Sequence, residues 1–371
     1  MRVVVAPDSF KGSLTAIEAS ATIAREWRRV RPGDEVAVAP MADGGEGTID
    51  AFELAHPDAV RHPIEVTGPD DRPVLTSWLE LPAAAGGDGP TAVIEFASTS
   101  GITLLDELRP LTAHSAGFGQ AIAAALTAGC RTLLLGIGGS GSTDGGQGAL
   151  AALGARFLGA DGRSVGLGNA ALGAIERIDI SALVRLPEGV EAIVLSDVRS
   201  PLLGDDGAVS VFGPQKGITA GLRSRAEQNL AHFARRLGEV LPTDPLQPGA
   251  GAAGGTGFGL SAWGAAIRPG SAVIADALGL VRRIGAAELV ITGEGRWDAQ
   301  SLEGKVVGYV LELAASSGVP AALLAGDIQG PTMPFARAAS LSGLAGSADA
   351  ALREPQRWLA AAAAQLATTW R

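Results

Sequence analysis

Thr132-Leu133-Leu134-Leu135-Gly136-Ile137-Gly138-Gly139-Ser140-Gly141-Ser142-Thr143-Asp144-Gly145-Gly146-Gln147-Gly148 is the stretch that decides the fold class. A short apolar run ends in glycine, a glycine- and hydroxyl-rich stretch follows, and small apolar residues up to Leu153 then read as a helix. Strand, glycine loop and helix form the unit from which parallel α/β sheets are built, and ligands bind where the strand hands over to the loop. Glycine there lets backbone N–H groups face an anion with a helix N-terminus behind them. Gly138, Gly139, Ser140, Ser142, Thr143 and Gly145 are therefore expected to bind phosphate, and Asp144 to hold a cation or cap the helix. The start of the stretch also fits a loose GxGxxG, but no acidic residue closes a second strand about 20 residues on, which disfavours a dinucleotide. The GxxxxGK[ST] phosphate loop and the HRD and DFG elements of protein kinases do not occur.

The same alternation extends outward in both directions. Residues 3–6 read as a buried strand stopped by Pro7, Thr15 and Glu18 have capping-box spacing for a helix reaching Trp27, and residues 35–40 supply a second strand. Helices are expected over 113–128, 145–153, 224–237, after Gly304 and from Pro355, with strands at 192–195, 288–292 and 321–325. Residues 62–67, 74–81 and 91–97 differ: three strand-like runs separated by turn signals, with no helix between them, predict an antiparallel patch. The 371 residues suit two domains at about 150 residues each.

Composition removes several function classes. A net charge of −10, from 29 Lys+Arg against 39 Asp+Glu, argues against nucleic acid as a partner. Cys130 is the single cysteine, so neither a disulfide framework nor a CxxC site exists, and His56, His62, His114 and His232 are too scattered for a histidine metal centre. The N-terminal apolar run is too short for a signal peptide, and residues 245–267 are too rich in glycine and proline for a membrane span. A soluble cytoplasmic protein, monomeric or homodimeric, is expected. Only three lysines occur, Lys11, Lys216 and Lys305, each beside a glycine, against 26 arginines. A compact ammonium next to glycine suits a phosphate or carboxylate ligand.

Three further polar stretches fall at strand ends. Asp8-Ser9-Phe10-Lys11-Gly12-Ser13 follows the first strand and holds more polar groups than helix capping requires. Ser196-Asp197-Val198 sets a carboxylate on a strand tip, a position for a general base or a metal ligand. Thr292-Gly293-Glu294-Gly295-Arg296-Trp297-Asp298-Ala299-Gln300-Ser301-Leu302-Glu303-Gly304-Lys305 supplies acids, an amide and an ammonium before a helix.

These stretches, with Ala6 to Ala16, Asp43-Gly44-Gly45-Glu46-Gly47-Thr48, Gly213-Pro214-Gln215-Lys216-Gly217, the glycine cluster 251–260 and Gly326-Asp327, resemble the bacterial glycerate kinases of type I along nearly the whole chain. Trp297 stands where the resemblance leads one to expect a smaller residue, and residues 337–354 match weakly. The resemblance implies two α/β domains: a Rossmann-like parallel-sheet domain from both chain ends (1–61 and 285–371) and an inserted α/β domain with the antiparallel patch (62–284). It implies transfer of the ATP γ-phosphoryl to D-glycerate with Mg²⁺, at the 2-hydroxyl to give 2-phosphoglycerate. Asp8, Ser9, Lys11 and Asp43 are then expected on the glycerate side. The 138–145 loop, Lys216, Gly254, Gly255, Glu294 and Gln300 are expected on the nucleotide, with Lys305 on its phosphate or the transferring group. Asp298 and Asp144 become the metal-side acids and Asp197 the base. A kinase of another small hydroxy acid, or a non-enzymatic sensor of such acids, are the alternatives.

Overall fold

The computed structural model describes residues 1–10, 12–83, 89–298, 301 and 306–370. Its strands, in chain order, are β1 (Arg2–Val5), β2 (Glu35–Val38), β3 (Val60–Thr67), β4 (Pro73–Leu81), β5 (Thr91–Glu95), β6 (Thr132–Gly136), β7 (Arg156–Leu158), β8 (Arg177–Asp179), β9 (Glu191–Leu195), β10 (Ala266–Arg268), β11 (Leu289–Trp297), β12 (Ala321–Ile328) and β13 (Arg337–Ser340). The chain divides into two compact α/β units, one comprising Met1–Asp43, Asp50–Ala55 and Ser271–Arg371, the other Gly44–Ile49 and His56–Gly270.

The first unit is a five-stranded parallel sheet in the order β13-β12-β11-β1-β2. A parallel sheet must be covered on both faces, so its strands read as continuous apolar runs. Val3, Val5, Leu289, Ile291, Ala322 and Leu324 pack under the helices Ala16–Val30 and Pro355–Thr369, while Leu323 and Ala325 meet Val307 and Trp297 on the other side. From β1 the chain moves to β2, and from β11 it moves the opposite way to β12 and β13. The sheet therefore switches direction between β1 and β11, the place where ligand crevices form in such sheets. Thr15 opens the first helix with the expected capping box: its hydroxyl accepts from the Glu18 amide, and the Glu18 carboxylate accepts from the Thr15 amide.

A small polar knot ties this unit's edge. Asp34 accepts from the Met1 ammonium at 2.8 Å, Arg31 Nε at 2.7 Å and Trp27 Nε1 at 3.0 Å. Burial alone would raise its pKa, but these donors outweigh it and hold the carboxyl at about 2, below its ordinary 3.8. A depressed carboxyl pKa gives stability that is complete above the ordinary value and is lost as pH falls through the folded one. Asp34→Asn should therefore cost about 2 kcal/mol at pH 7. In urea titrations the gap to wild type should close between about pH 4 and pH 2; a gap independent of pH would show that the knot acts by packing alone.

The main sheet of the second unit has six strands in the order β10-β9-β6-β5-β4-β3. β10, β9, β6 and β5 run parallel, and β4 and β3 continue antiparallel, as the turn-separated runs predicted. Its core joins Phe118, Leu133, Leu135, Leu150, Val194, Leu230, Phe233 and Phe258. The separate pair β7–β8 is antiparallel.

Two local expectations need correction. Residues 96 and 97 do not extend the strand; the helix Phe96–Ser100 begins there, and β5 ends at Glu95, level with the end of its partner β6 at Gly136. β11, by contrast, runs on to Trp297, because β12 pairs with it as far as Ile328. Glu294 thus lies within a strand and not in a loop after it. Trp297 is buried, donates from Nε1 to the Pro331 carbonyl at 3.1 Å and packs edge-on against Phe335.

Candidate active site

In the first unit, the switch point gathers the polar residues that follow β1 and those on β11. Asp8 is fixed there by its backbone amide, which donates to the Gly293 carbonyl at 2.8 Å, and its carboxylate accepts from the Ser9 amide at 2.7 Å. Phe10 anchors the next turn in the core and pairs with Leu14, leaving Asp8 and Ser9 half-buried at the sheet edge. Glu294 is buried on β11 and Asp298 is half-buried just past its end, where its amide donates to Ser301 Oγ. One strand over, Asp327 accepts from Ser342 Oγ at 2.7 Å and Gln329 Nε2 at 2.8 Å, which hold its carboxyl below the usual range. Asp43 sits half-buried at the end of the segment that follows β2. Lys11, Gln300 and Lys305 lie outside the described residues.

In the second unit, the glycine loop leaves β6 beside the tip of β9, since Gly136 pairs with Leu195. Asp197, half-buried, is two residues beyond Leu195, and Gly138 is two beyond Gly136. Gly44 and Gly45 lie across these strand ends. The Gly138 amide donates to the Gly44 carbonyl at 2.9 Å, and a Cβ on Gly44 would stand 2.4 Å from the Leu195 carbonyl oxygen, so only glycine fits.

The loop is not uniformly available to a ligand. Its amides at Gly138, Gly141 and Gly145 are committed to Gly44, Ser100 and Gly254 carbonyls. Gly138 and Gly139 form the accessible tip, with Gly139 exposed in a left-handed conformation; Ser140, just behind it, is 8% exposed, and residues 141–150 are buried. Ser142, Thr143 and Gly145, expected on phosphate, are therefore interior. Gly145 faces Phe233 and Leu230, and the Thr143 carbonyl accepts from Asn169 Nδ2. Gly254 and Gly255 also turn out to be packing residues. A Cβ at Gly254 would meet the Ser142 carbonyl oxygen at 2.2 Å, and one at Gly255 would meet Gly145 Cα at 2.9 Å. Glycine serves there to bring two backbones together.

Asp144 is corrected most sharply. Fully buried, it accepts from Ser115 N (2.9 Å), Ser115 Oγ (2.7 Å), Ser142 Oγ (3.0 Å), Gly146 N (3.2 Å) and Gly148 N (3.1 Å). A carboxylate offers about four lone-pair sites, so none remains for a metal. Asp144 organises the loop and caps the following helix, the second of the two roles its position allowed. Lys216, expected on the nucleotide, lies beneath the loop with its Nζ bonded to Ser140 Oγ at 2.7 Å and the Ser142 carbonyl at 2.6 Å. Burial pushes its pKa down to about 7, against the favourable field of Asp144. Ser115 and Asn169 were not foreseen, because each reaches the loop from a distant segment and belongs to no motif.

With this geometry in place, comparison with known proteins is decisive. The glycerate kinase family model matches residues 3–371. The chain belongs to the glycerate kinase family. It is 41% identical to glycerate 2-kinase of Escherichia coli (strain K12) over 88% of this chain and 86% of that one. It is likewise 41% identical to glycerate kinase of Bacillus subtilis (strain 168), over 88% and 85%. A solved structure of a Salmonella typhimurium LT2 protein assigned as a glycerate kinase 2 superposes with a TM-score of 0.80 at 35% identity, covering 100% of this chain and 98% of that one. As a member of a kinase family the chain takes ATP as co-substrate. Among the described residues no helix is long and apolar enough to cross a membrane.

Proposed function

We propose that this protein is a glycerate kinase of the type I group that transfers the ATP γ-phosphoryl to the 2-hydroxyl of D-glycerate. The observation that carries this reading is that its polar stretches end strands at sheet carboxyl edges, in a chain matching the family from residue 3 to residue 371. Phosphoryl transfer asks for held phosphates, neutralised charge and a base at the attacking hydroxyl. The Gly139 and Ser140 amides at the loop tip carry no bond among the described residues and are suited to phosphate oxygens. Asp197 takes the hydroxyl proton, and Asp8, Ser9, Asp43 and Lys11 hold glycerate.

Mg²⁺ is part of this reading. Among the described residues no three acidic or histidine side chains form a metal cage. Mg²⁺ bound with nucleotide needs none, since it keeps several waters and takes one or two carboxylates besides phosphate oxygens. Half-buried Asp298, with Glu294 on the strand leading to it, fits that demand. Bound there, the ion would neutralise charge on the phosphates.

ADP release from ATP should depend on D-glycerate. Glycerate binding without ATP consumption would mean a sensor and refute the enzyme. Lys305→Met should lower kcat by roughly 10²–10³-fold if its ammonium meets the transferring group, while Lys11→Met should mainly raise KM for glycerate. Wild-type kinetics in both variants would remove the lysines from the site.

A further inference from the structure

Lys216 is a buried cation whose obvious role, contact with the nucleotide, its position does not support. It ends the single turn Pro214–Lys216 and is 2% exposed. Both hydrogen bonds of its Nζ go to the glycine loop itself, one to the Ser140 side chain just behind the exposed Gly139 and one to the Ser142 backbone. The tip is otherwise pinned on its outer side, where the Ile102 amide donates to the Gly139 carbonyl and the Gly141 amide to the Ser100 carbonyl. Lys216 thus supplies the inner clamp of a turn whose conformation sets where the Gly139 and Ser140 amides point. The clamp also orients a hydroxyl. Ser140 Oγ accepts from Nζ, so its own hydrogen is free to donate elsewhere, and a phosphate oxygen at the tip is a fitting acceptor.

We propose that Lys216 is the positioning residue of the phosphate loop: its Nζ, without touching ATP, holds the Ser140–Ser142 turn in phosphate-binding form, and its neutral amine takes up a proton as ATP binds. The proposal rests on the kinase reading above. Its electrostatics follow from what surrounds the ammonium. Asp144 is the charged group whose field favours its protonated form. The helix Ala208–Phe212 beside it and the rest of its own turn carry no charge. The stretch packing against Gly217 holds Leu108 and Pro110, with Glu107 and Arg109 in exposed positions. Asp144 already spends its charge on five donors, and burial leaves the lysine poised near neutrality. A polyanion bound at the exposed Gly139, next to the Ser140 that Nζ bonds, adds negative charge near Nζ and raises its proton affinity. No proton donor other than buffer is needed: the amine takes H⁺ and the buffer base is left.

The sign is definite. The protonated lysine favours ATP, so affinity should fall as pH rises above about 7. The test is calorimetry of the full-length wild type with a non-hydrolysable ATP analogue at pH 8.0, in buffers of different ionisation enthalpy. The expected result is net uptake approaching one proton per nucleotide. Lys216→Met should abolish the uptake and raise Kd at least about 10-fold, with KM for glycerate within about twofold of wild type. A residue serving stability alone would leave proton linkage untouched. Should Lys216→Met fail to fold, the wild-type linkage still decides. Nucleotide binding without proton uptake overturns the proposal alone, and no nucleotide binding to wild type overturns the kinase reading with it.

Discussion

Asp197→Asn should bind ATP and glycerate with close to wild-type affinity yet turn over about 10²–10⁴-fold more slowly. The expectation follows from where the residue sits and from the chemistry it faces. The side chain is half-buried just beyond β9, level with the start of the glycine tip that follows the neighbouring strand β6. In the proposed reaction the acceptor hydroxyl meets the phosphoryl group beside this strand end. In a loose transition state the hydroxyl proton leaves late, so the base must be well placed more than strong. Asparagine keeps the shape and can still orient the hydroxyl, but it cannot take the proton, so the loss should appear in kcat and not in KM. Calorimetry and initial rates on the same preparation separate the two. A variant that retains turnover but loses Mg²⁺ affinity would exchange the roles of Asp197 and Asp298.

Asp144→Asn should destabilise the second unit by at least about 3 kcal/mol. The carboxylate takes five donors from three directions: Ser115 near the start of the helix Ala116–Thr127, Ser142 within the loop, and the amides that open the helix Gln147–Ala152. An amide NH₂ in place of either oxygen sets donor against donor at no fewer than two of these contacts. It also removes the charge that offsets Lys216. Such a loss corresponds to a drop of roughly 6–12 °C in the unfolding temperature of a domain this size. Magnesium affinity, measured on the folded variant at low temperature, should be unchanged. Lost magnesium affinity with wild-type stability would restore Asp144 to the metal.

Much of this was legible in the chain. The parallel strands announced themselves as apolar runs at 3–6, 132–135 and 192–195, and the antiparallel patch by turn signals without an intervening helix. Asp8, Ser9 and Asp298 could be assigned to strand ends from local sequence, and the Asp8 amide does bond the Gly293 carbonyl at the switch point, whereas Glu294 lies within β11. The glycine loop was the harder case. Its local sequence shows many donors, but their availability depends on distant partners. The Ser100 and Gly254 carbonyls take up loop amides while Ser115 and Asn169 donate to the Asp144 carboxylate and the Thr143 carbonyl, and residues 26 or more positions away leave no local pattern. The same holds for Lys216. Its glycine neighbour and its rarity marked it as special, yet only the fold tells that its bonds run to the loop from beneath.

The central claim is the transfer of phosphate to a glycerate hydroxyl, and phosphorus NMR of the product tests it most directly. Full-length protein incubated with ATP, Mg²⁺ and D-glycerate should yield ADP and one new phosphomonoester, its phosphorus coupled to the single C2 proton of 2-phosphoglycerate. A phosphorus coupled to the two C3 protons would contradict the regiochemistry, and consumption of ATP to free phosphate with no phosphoglycerate formed would contradict the account itself.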